Sequence, residues 1–327
     1  MTILELLKKS DLAPLESELL LAYVLKKERL FIISHPEYKI PPEKARAFLK
    51  LVAKRKAHWP IAYLLQEKGF YDLSLQVNKN VLIPRPETEI MVDYLDKELI
   101  SLHKLLVKKS KESKGDKESK KSKPVNLPKI ELIDLGTGSG AIIIALVKKL
   151  RASTRAVFKN INFWGLDIKS AALKVARLNA KKYKLEKKIK FLNSDLLNNF
   201  PQSHLTETNL VIAANLPYLT PLEIKQEKSL RHEPKSALAA GSDGLKYYNR
   251  LLKNLSSLPF ASLILMMEIN PKQSKRLLCL VKKYLLNSTN KTINDLSGQK
   301  RFILVKALPN TKKTKHNSKI LSNTKKL

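Results

Sequence analysis

Hydrophobic and polar residues follow two different periods along the 327-residue chain. Over residues 1–68 the apolar positions recur at helical spacing, as Ala45, Phe48, Leu49 and Val52 do. Two of these stretches begin at a proline, which is well tolerated in the first turn of a helix. We therefore predict a small helical domain for this segment.

Residues 69–102 combine a strand period with a helix period. Apolar and polar residues alternate over residues 71–77, which predicts a strand pair that ends in the proline-rich loop 83–89. A linker helix is predicted after that loop. Residues 103–127 then consist mostly of Lys, Ser and Glu, a composition that favours a disordered insertion.

From residue 128 onward, short apolar strands alternate with amphipathic helices. Strands are predicted at residues 130–135, 162–166, 190–193, 209–213, 262–268 and 301–306, and helices at residues 141–150 and 170–183. This alternation predicts an α/β domain over residues 128–309 with a mostly parallel sheet. A turn at residues 296–298 separates the last two strands, so one strand is predicted to be antiparallel. The basic tail, residues 310–327, is expected to be disordered.

Composition excludes several classes of protein. Hydrophobic residues make up 43% of the chain, which is enough to bury a core. No apolar run approaches the roughly 18 residues of a membrane span, and the first residues do not resemble a targeting peptide. Cys279 is the single cysteine, which excludes a disulfide framework, and its spacing with leucines predicts core packing. We expect a cytoplasmic monomer with no metal site and no membrane contact.

The net charge of +33 has two interpretations. Only 11 of the 62 basic residues are arginine, and two Lys-rich segments, residues 104–123 and 311–327, each contribute a net charge of +6. The charge is typical either of a Lys-rich solvated surface or of weak contact with RNA or the ribosome. Both interpretations stay open at this point.

A glycine-rich loop follows the first predicted strand of the α/β domain and opens a helix. After Asp134 and Leu135 it consists of Gly136, Thr137, Gly138, Ser139 and Gly140. Glycines let a ligand approach the main chain, and such loops bind nucleotide-like cofactors at the carboxyl ends of strands. The spacing is not that of a pyrophosphate or phosphate loop. The acidic Asp134 also suits a positively charged cofactor better than a phosphorylated one.

Two further aspartates follow the next predicted strands. Asp167 is placed to accept hydrogen bonds from both ribose hydroxyls of a cofactor, whereas the alternative is a helix N-cap before Ser170. Asp195 is placed to reach an adenine amino group, and its alternative is a simple cap or turn.

The fourth predicted strand is followed by Asn215, Leu216, Pro217 and Tyr218. The Asn215 side-chain oxygen and the Leu216 carbonyl offer two acceptors, which together can hold both hydrogens of a planar NH2 group. Tyr218 supplies a flat face for stacking. The combination with the glycine loop and Asp167 indicates transfer chemistry on a planar amino nitrogen.

Together these motifs resemble the class I S-adenosylmethionine-dependent methyltransferases over residues 129–308, whose sheet is Rossmann-like. The Asn-Leu-Pro-Tyr stretch, residues 215–218, is similar to the Asn-Pro-Pro-Tyr motif of enzymes that methylate adenine or a glutamine amide. Leu216 stands where the family usually has proline and is expected to keep the carbonyl contact. Because rRNA adenine dimethyltransferases share the Asn-Leu-Pro-Tyr form, this motif alone leaves the substrate open.

Other stretches resemble the protein-(glutamine-N5) methyltransferases that act on peptide chain release factors. The similar stretches are residues 60–64, 69–71, 80–89, 232–238, 241–245 and 295–298. With the N-terminal helical domain, the resemblance covers about residues 1–308, apart from the insertion.

The resemblance implies a cofactor, a substrate and a set of site residues. S-adenosyl-L-methionine would lie on Gly136–Gly140, with its ribose on Asp167 and its adenine near Asp195 and Leu196, a position that is often aromatic in the family. The substrate is the glutamine of the Gly-Gly-Gln motif in class I release factors, and its methylation tunes translation termination. The substrate-binding and catalytic residues implied are Asn215, Leu216, Pro217 and Tyr218, with Pro84, Arg85 and Glu87 in the wall and residues 1–68 as recognition domain.

Two other functions remain as alternatives. The basic charge would suit an adenine-N6 methyltransferase acting on DNA or rRNA, although the stretch at residues 83–89 argues against it. A non-enzymatic RNA-binding protein with a methyltransferase fold would bind the cofactor without transferring its methyl group. For the preferred function we expect catalysis by positioning and electrostatics, because the motif holds no strong base.

Overall fold

The computed structural model describes residues 1–112, 127–153 and 155–310. Five N-terminal helices pack around a small apolar core that includes Ile3, Leu20 and Phe48. They are α1 (Ile3–Ser10), α2 (Pro14–Leu25), α3 (Arg29–Ser34), α4 (Pro42–Lys56) and α5 (Ile61–Leu65). Helices α2 and α4 each begin at a proline in their first turn, as the sequence predicted.

A hairpin and a long helix link these helices to the sheet. Strands β1 (Glu67–Phe70) and β2 (Leu73–Gln76) pair antiparallel, and α6 (Glu89–Glu112) follows the proline-rich loop. Helix α6 extends ten residues into the segment that the sequence assigned to the insertion from residue 103 onward. The physical reason is that the apolar positions continue at helical spacing through Leu106, which is buried against the sheet. Residues 113–126 lie outside the described residues.

Seven further strands form one sheet in the order β5-β4-β3-β6-β7-β9-β8. They are β3 (Ile130–Leu135), β4 (Ile161–Asp167), β5 (Ile189–Asn193), β6 (Asn209–Ala214), β7 (Ser262–Glu268), β8 (Ser288–Asn294) and β9 (Lys300–Ala307). Strands β3 to β7 run parallel, whereas β9 is antiparallel to both of its neighbours. This confirms the predicted α/β class, with a mostly parallel sheet and one antiparallel strand.

Helices cover both faces of this sheet, so an apolar cluster lies on each side. The remaining helices are α7 (Ala141–Ser153), α8 (Arg155–Lys159), α9 (Ser170–Lys182), α10 (Pro221–Gln226), α11 (Lys246–Leu255) and α12 (Ser274–Tyr284). Helices α6 and α7 contribute to one cluster, and α11 and α12 contribute to the other. None of the helices in the described ranges is long and apolar enough to cross a membrane.

Two sequence-based expectations about the C-terminal part were wrong. Cys279 is exposed rather than in the core, because α12 buries Leu277 and Val281, and Cys279 lies between them on the opposite face. Strand β8 was not predicted, because it is an edge strand in which only Ile293 is buried. Tyr71 also lies in the hairpin turn with positive φ instead of in a strand.

Candidate functional site

The carboxyl ends of three neighbouring parallel strands bring the predicted motifs together. Leu135, at the end of β3, pairs with Leu166 of β4 on one side and with Ala214 of β6 on the other. The residues that follow each strand therefore leave the sheet side by side. This edge is where ligands bind in open α/β sheets.

The glycine loop approaches the Asn215 segment too closely for any other residue. Gly136 has φ of +70°, and a Cβ there would lie 3.3 Å from Leu216 Cδ2. Gly140 has φ of +83°, and its Cβ would lie 2.9 Å from Ile144 Cδ1. The first glycine lets two loops meet at the strand ends, and the other lets the loop turn into α7.

Asp167 joins the glycine loop to the turn before α9. Its Oδ2 accepts a hydrogen bond from the Gly138 N–H at 3.0 Å, and its Oδ1 accepts one from the Lys169 N–H at 2.8 Å. Each oxygen keeps a lone pair for a further donor. Burial raises the pKa of this carboxyl, whereas the two backbone donors act in the opposite direction.

A cavity of about 260 Å³ lies above these loops. The residues in its wall that the sequence singled out are Gly136, Gly138, Asp167, Asp195, Leu196, Asn215, Leu216 and Pro217. Thr137, Ser139 and Gly140 are not in the wall. The Thr137 hydroxyl donates to Asp134 at 2.7 Å, the Ser139 carbonyl accepts from Asn179, and both residues are buried below the loop.

Asp134 and Asp195 differ in what surrounds them. Asp134 is buried beneath the loop, outside the cavity wall, and burial raises its pKa to about 7. Asp195 reaches the cavity, but its Oδ2 accepts a hydrogen bond from Arg250 at 2.6 Å. Only Oδ1 of Asp195 is without a partner in the part of the chain that the structure describes.

Asn215 and Leu216 present two hydrogen-bond acceptors. The Asn215 Nδ2 donates to the Thr88 hydroxyl at 3.2 Å, which leaves Oδ1 directed elsewhere. The Leu216 N–H donates to the Tyr248 hydroxyl at 3.4 Å. Within residues 1–112, 127–153 and 155–310, neither Asn215 Oδ1 nor the Leu216 carbonyl has a hydrogen-bond donor.

A second cavity, of about 180 Å³, lies on the other side of this pair. It shares Leu82, Asn215, Leu216 and Ala237 with the first cavity, and its further wall residues are Arg85, Tyr218, Leu219, Leu230 and Leu238. Asn215 and Leu216 therefore separate a cavity lined by glycines and carboxylates from one lined by Arg85 and Tyr218. Pro84 and Glu87, which the sequence also singled out, do not line either cavity.

The Tyr218 segment is held by its neighbours. The hydroxyl of Tyr218 donates to Glu268 Oε1 at 3.3 Å, and burial raises its pKa, so it stays protonated. The Tyr218 carbonyl accepts from Gln273 Nε2 at 2.7 Å. A Cβ at Gly244 would lie 2.0 Å from that Nε2, so only glycine leaves room for this contact.

Sequence reasoning missed three residues behind the site: Thr88, Glu233 and Glu268. Glu233 accepts hydrogen bonds from the Ile83 N–H and from Arg85, and so fixes the proline-rich loop. Glu268 ends β7 at the same edge as the motifs, and a lone carboxylate after five apolar residues was a usable signal. Burial raises the pKa of Glu268 to about 7.

Comparisons with known proteins agree with this geometry. Residues 3–65 match the PrmC N-terminal domain, and residues 127–277 match a methyltransferase domain. The chain is 32% identical to the release factor glutamine methyltransferase of Dictyoglomus turgidum, covering 89% of this chain and 90% of that protein. It is 34% identical to the one from Buchnera aphidicola subsp. Acyrthosiphon pisum, over 82% and 83% of the two chains.

The solved structures that resemble this chain include the hMettl16 catalytic domain in complex with MAT2A 3'UTR hairpin 6. That domain superposes with a TM-score of 0.50 at 13% identity, covering 88% of this chain and 92% of that one. At such low identity the likeness concerns the methyltransferase fold alone.

Proposed function

The chain belongs to the release factor glutamine methyltransferase family, and on that premise we propose that it methylates a release factor. The methyl group passes from S-adenosyl-L-methionine to the side-chain amide nitrogen of a glutamine. The substrate is the Gly-Gly-Gln motif of class I peptide chain release factors, and the modification tunes translation termination. The observation that carries this proposal is that Asn215 and Leu216 lie between two cavities and have unused acceptors.

The first cavity fits S-adenosyl-L-methionine. Its glycine backbone admits a close ligand, and Asp167 keeps acceptor capacity for the ribose hydroxyls. We assign the ribose to Asp167, the adenine to Asp195 and Leu196, and the rest of the cofactor to the Gly136–Gly140 loop. Thr137, Ser139 and Gly140 support that loop from below. When bound, the cofactor supplies a methyl group on a positively charged sulfur.

The second cavity fits the substrate amide. An NH2 group has two hydrogens, and Asn215 Oδ1 together with the Leu216 carbonyl can accept both. This pairing would turn the amide nitrogen towards the first cavity and hold it there. Pro217 stiffens the segment, Tyr218 provides an apolar face, and Arg85 lines the opposite wall. We assign Pro84 and Glu87 to shaping the loop that carries Arg85.

The chain's own contribution to catalysis is orientation. An amide nitrogen is a poor nucleophile because its lone pair is delocalised, so the two acceptors must align it before transfer. The same acceptors stabilise the positive charge that develops on the NH2 group during transfer. We infer that the proton leaves along one of these hydrogen bonds.

The deciding experiment supplies labelled S-adenosyl-L-methionine with a release factor and an RNA side by side. We expect label on a glutamine-containing tryptic peptide of the release factor. Label on RNA alone would instead support the adenine-directed alternative, and cofactor binding without any transfer would support a binding protein. Asn215→Ala should lower turnover roughly a hundredfold. Asn249→Ala, on an exposed position of α11 outside both cavities, is the matched control.

We further propose how the domains divide the task. Residues 1–68 recognise the release factor, residues 69–102 connect to the sheet, and residues 128–309 catalyse transfer. Support comes from an apolar cluster in which Ala62 and Tyr63 pack with Val175 of α9, which joins the N-terminal helices to the catalytic domain. Hydrogen exchange should show protection within residues 1–68 when the release factor is added.

The Lys-rich segments, residues 103–127 and 310–327, are proposed to make weak contact with RNA or the ribosome in the cytoplasm, where we place a monomeric enzyme. Their net positive charge supports this proposal. A salt titration of methylation by the full chain and by a form without both segments tests it. Identical salt slopes would mean that these charges are only solvated surface.

A further inference from the structure

A chain of buried polar groups lies behind Asn215. Asn215 Nδ2 donates to Thr88 Oγ1 at 3.2 Å, and Thr88 Oγ1 donates to Glu268 Oε2 at 2.7 Å. Thr88 is 3% exposed and Glu268 is 2% exposed. The three residues are far apart in sequence, so the tertiary fold alone brings them together.

The hydrogen inventory of this chain has one direction. A hydroxyl group carries a single hydrogen, and an ionised carboxylate can only accept. Because Thr88 gives its hydrogen to Glu268, it faces Asn215 with a lone pair. The side-chain amide of Asn215 therefore turns its NH2 group to Thr88 and its oxygen away. The two orientations of an amide have nearly the same shape, so packing alone does not choose between them.

We propose that Glu268, acting through Thr88, is a positioning residue that fixes the Asn215 amide with its oxygen towards the substrate nitrogen. The inference rests on the proposed function, because it concerns how the acceptor is oriented. With the amide reversed, an NH2 group would face the NH2 group of the substrate, and two donors would meet without an acceptor. Glu268 thus determines whether Asn215 can bind the amide that is methylated.

Glu268 acts only through other residues. It lies outside the walls of both cavities, and its two oxygens accept from Thr88 and Tyr218. Its backbone carbonyl also accepts from the Tyr248 hydroxyl. One carboxylate therefore anchors the first and the last residue of the Asn-Leu-Pro-Tyr segment, which explains a buried charge at the end of an apolar strand.

Three variants test the proposal. Thr88→Val keeps the shape of the side chain and removes the hydroxyl, whereas Thr88→Ser keeps the hydroxyl. Glu268→Gln supplies an NH2 group, which can reverse the chain by donating to Thr88. We expect Thr88→Val and Glu268→Gln to lower kcat about ten- to a hundredfold, the range for losing a buried polar partner. Thr88→Ser should restore most of the activity, and all three should keep the affinity for S-adenosyl-L-methionine.

A double variant separates orientation from mere structural support. If Thr88 acts through Asn215, then Thr88→Val should cause no further loss of kcat once Asn215→Ala is present. A loss that adds fully in that background would overturn the proposal. So would wild-type kcat in a folded Thr88→Val protein.

A readout that needs no turnover distinguishes this proposal from the proposed function. In the free protein the Asn215 side-chain NH2 signals, identified by their absence from Asn215→Ala, should exchange slowly with water, because the group faces buried Thr88. They should exchange faster in Thr88→Val. Rapid exchange in the wild type would refute the orientation. Slow exchange in a protein that fails to methylate release factors would refute only the proposed function.

Discussion

The two cavities that meet at Asn215 are built in different ways. The first takes its shape from backbone, since Gly136, Gly138 and Asp167 lie in turns that directly follow adjacent strands. The second depends on side chains that are 127 and 180 residues apart, Asn215 with Thr88 and Thr88 with Glu268. Local geometry therefore determines cofactor binding, whereas long-range side-chain contacts determine how the acceptor is aligned. Substitutions in the two cavities should consequently change different measurable quantities.

The largest effect is expected at Gly244, which supports the second cavity. It has φ of +70°, and a Cβ there would lie 2.3 Å from the Tyr218 carbonyl oxygen as well as against Gln273. Gly244→Ala must displace the Tyr218 backbone, so we expect a loss of roughly 3 kcal/mol in the free energy of unfolding and a large loss of kcat. Urea denaturation and steady-state kinetics measure the two effects.

The matched control for Gly244 is Gly298. It also has positive φ, +80°, but a Cβ there meets nothing within 4 Å. Gly298→Ala should therefore cost only the backbone strain, about 1 kcal/mol, and leave kcat unchanged. Equal losses in the two variants would show that close contact with Tyr218 does not matter.

The next largest effect concerns pH, because each cavity has one buried carboxylate behind it. Burial raises the pKa of Asp134 and of Glu268 to about 7 in the folded chain. Between the ordinary pKa of each group and pH 7, the folded chain binds more protons than the unfolded chain. Stability is therefore highest below about pH 4 and falls as pH rises through 7, by roughly 2 to 3 kcal/mol for each group.

Single substitutions assign that loss to its source. Asp134→Asn and Glu268→Gln should each flatten part of the stability decline between pH 5 and pH 8, measured by urea denaturation across the range. A decline that stays unchanged in both variants would mean that other groups cause it. If only Asp134→Asn flattens it, the Glu268 site is better solvated than its burial indicates.

The same contrast explains how much the sequence could predict. The glycine loop, Asp167 and the Asn215 segment were predictable, because each is a short motif placed directly after an apolar strand. Thr88 and Glu268 were not, because their roles arise only when β6 and β7 lie side by side next to the proline-rich loop. Cys279 shows the opposite error, since helical spacing does not tell which face of α12 is buried.

Asp167 provides the sharpest test on the cofactor side. Asp167→Asn places an NH2 group next to either the Gly138 or the Lys169 N–H, and it removes a charge that would accept ribose hydroxyls. We expect S-adenosyl-L-methionine to bind about tenfold more weakly, with kcat at saturating cofactor changed less than about twofold. Calorimetry and single-turnover assays measure these quantities. A tenfold fall in kcat with unchanged affinity would erase the distinction between the two cavities.

Asp195 should give the smallest effect. Arg250 can only donate, so in Asp195→Asn the new amide would turn its oxygen to Arg250 and its NH2 group to the cavity, where an adenine amino group also donates. The carboxylate side chain is 33% exposed, so water weakens this mismatch, and we expect only about a three- to fivefold loss of cofactor affinity. Glu18→Gln, which faces Arg29 in the N-terminal domain, is the matched control. Unchanged affinity in Asp195→Asn would remove Asp195 from the adenine site, and a loss larger than that of Asp167→Asn would make it the main carboxylate for the cofactor.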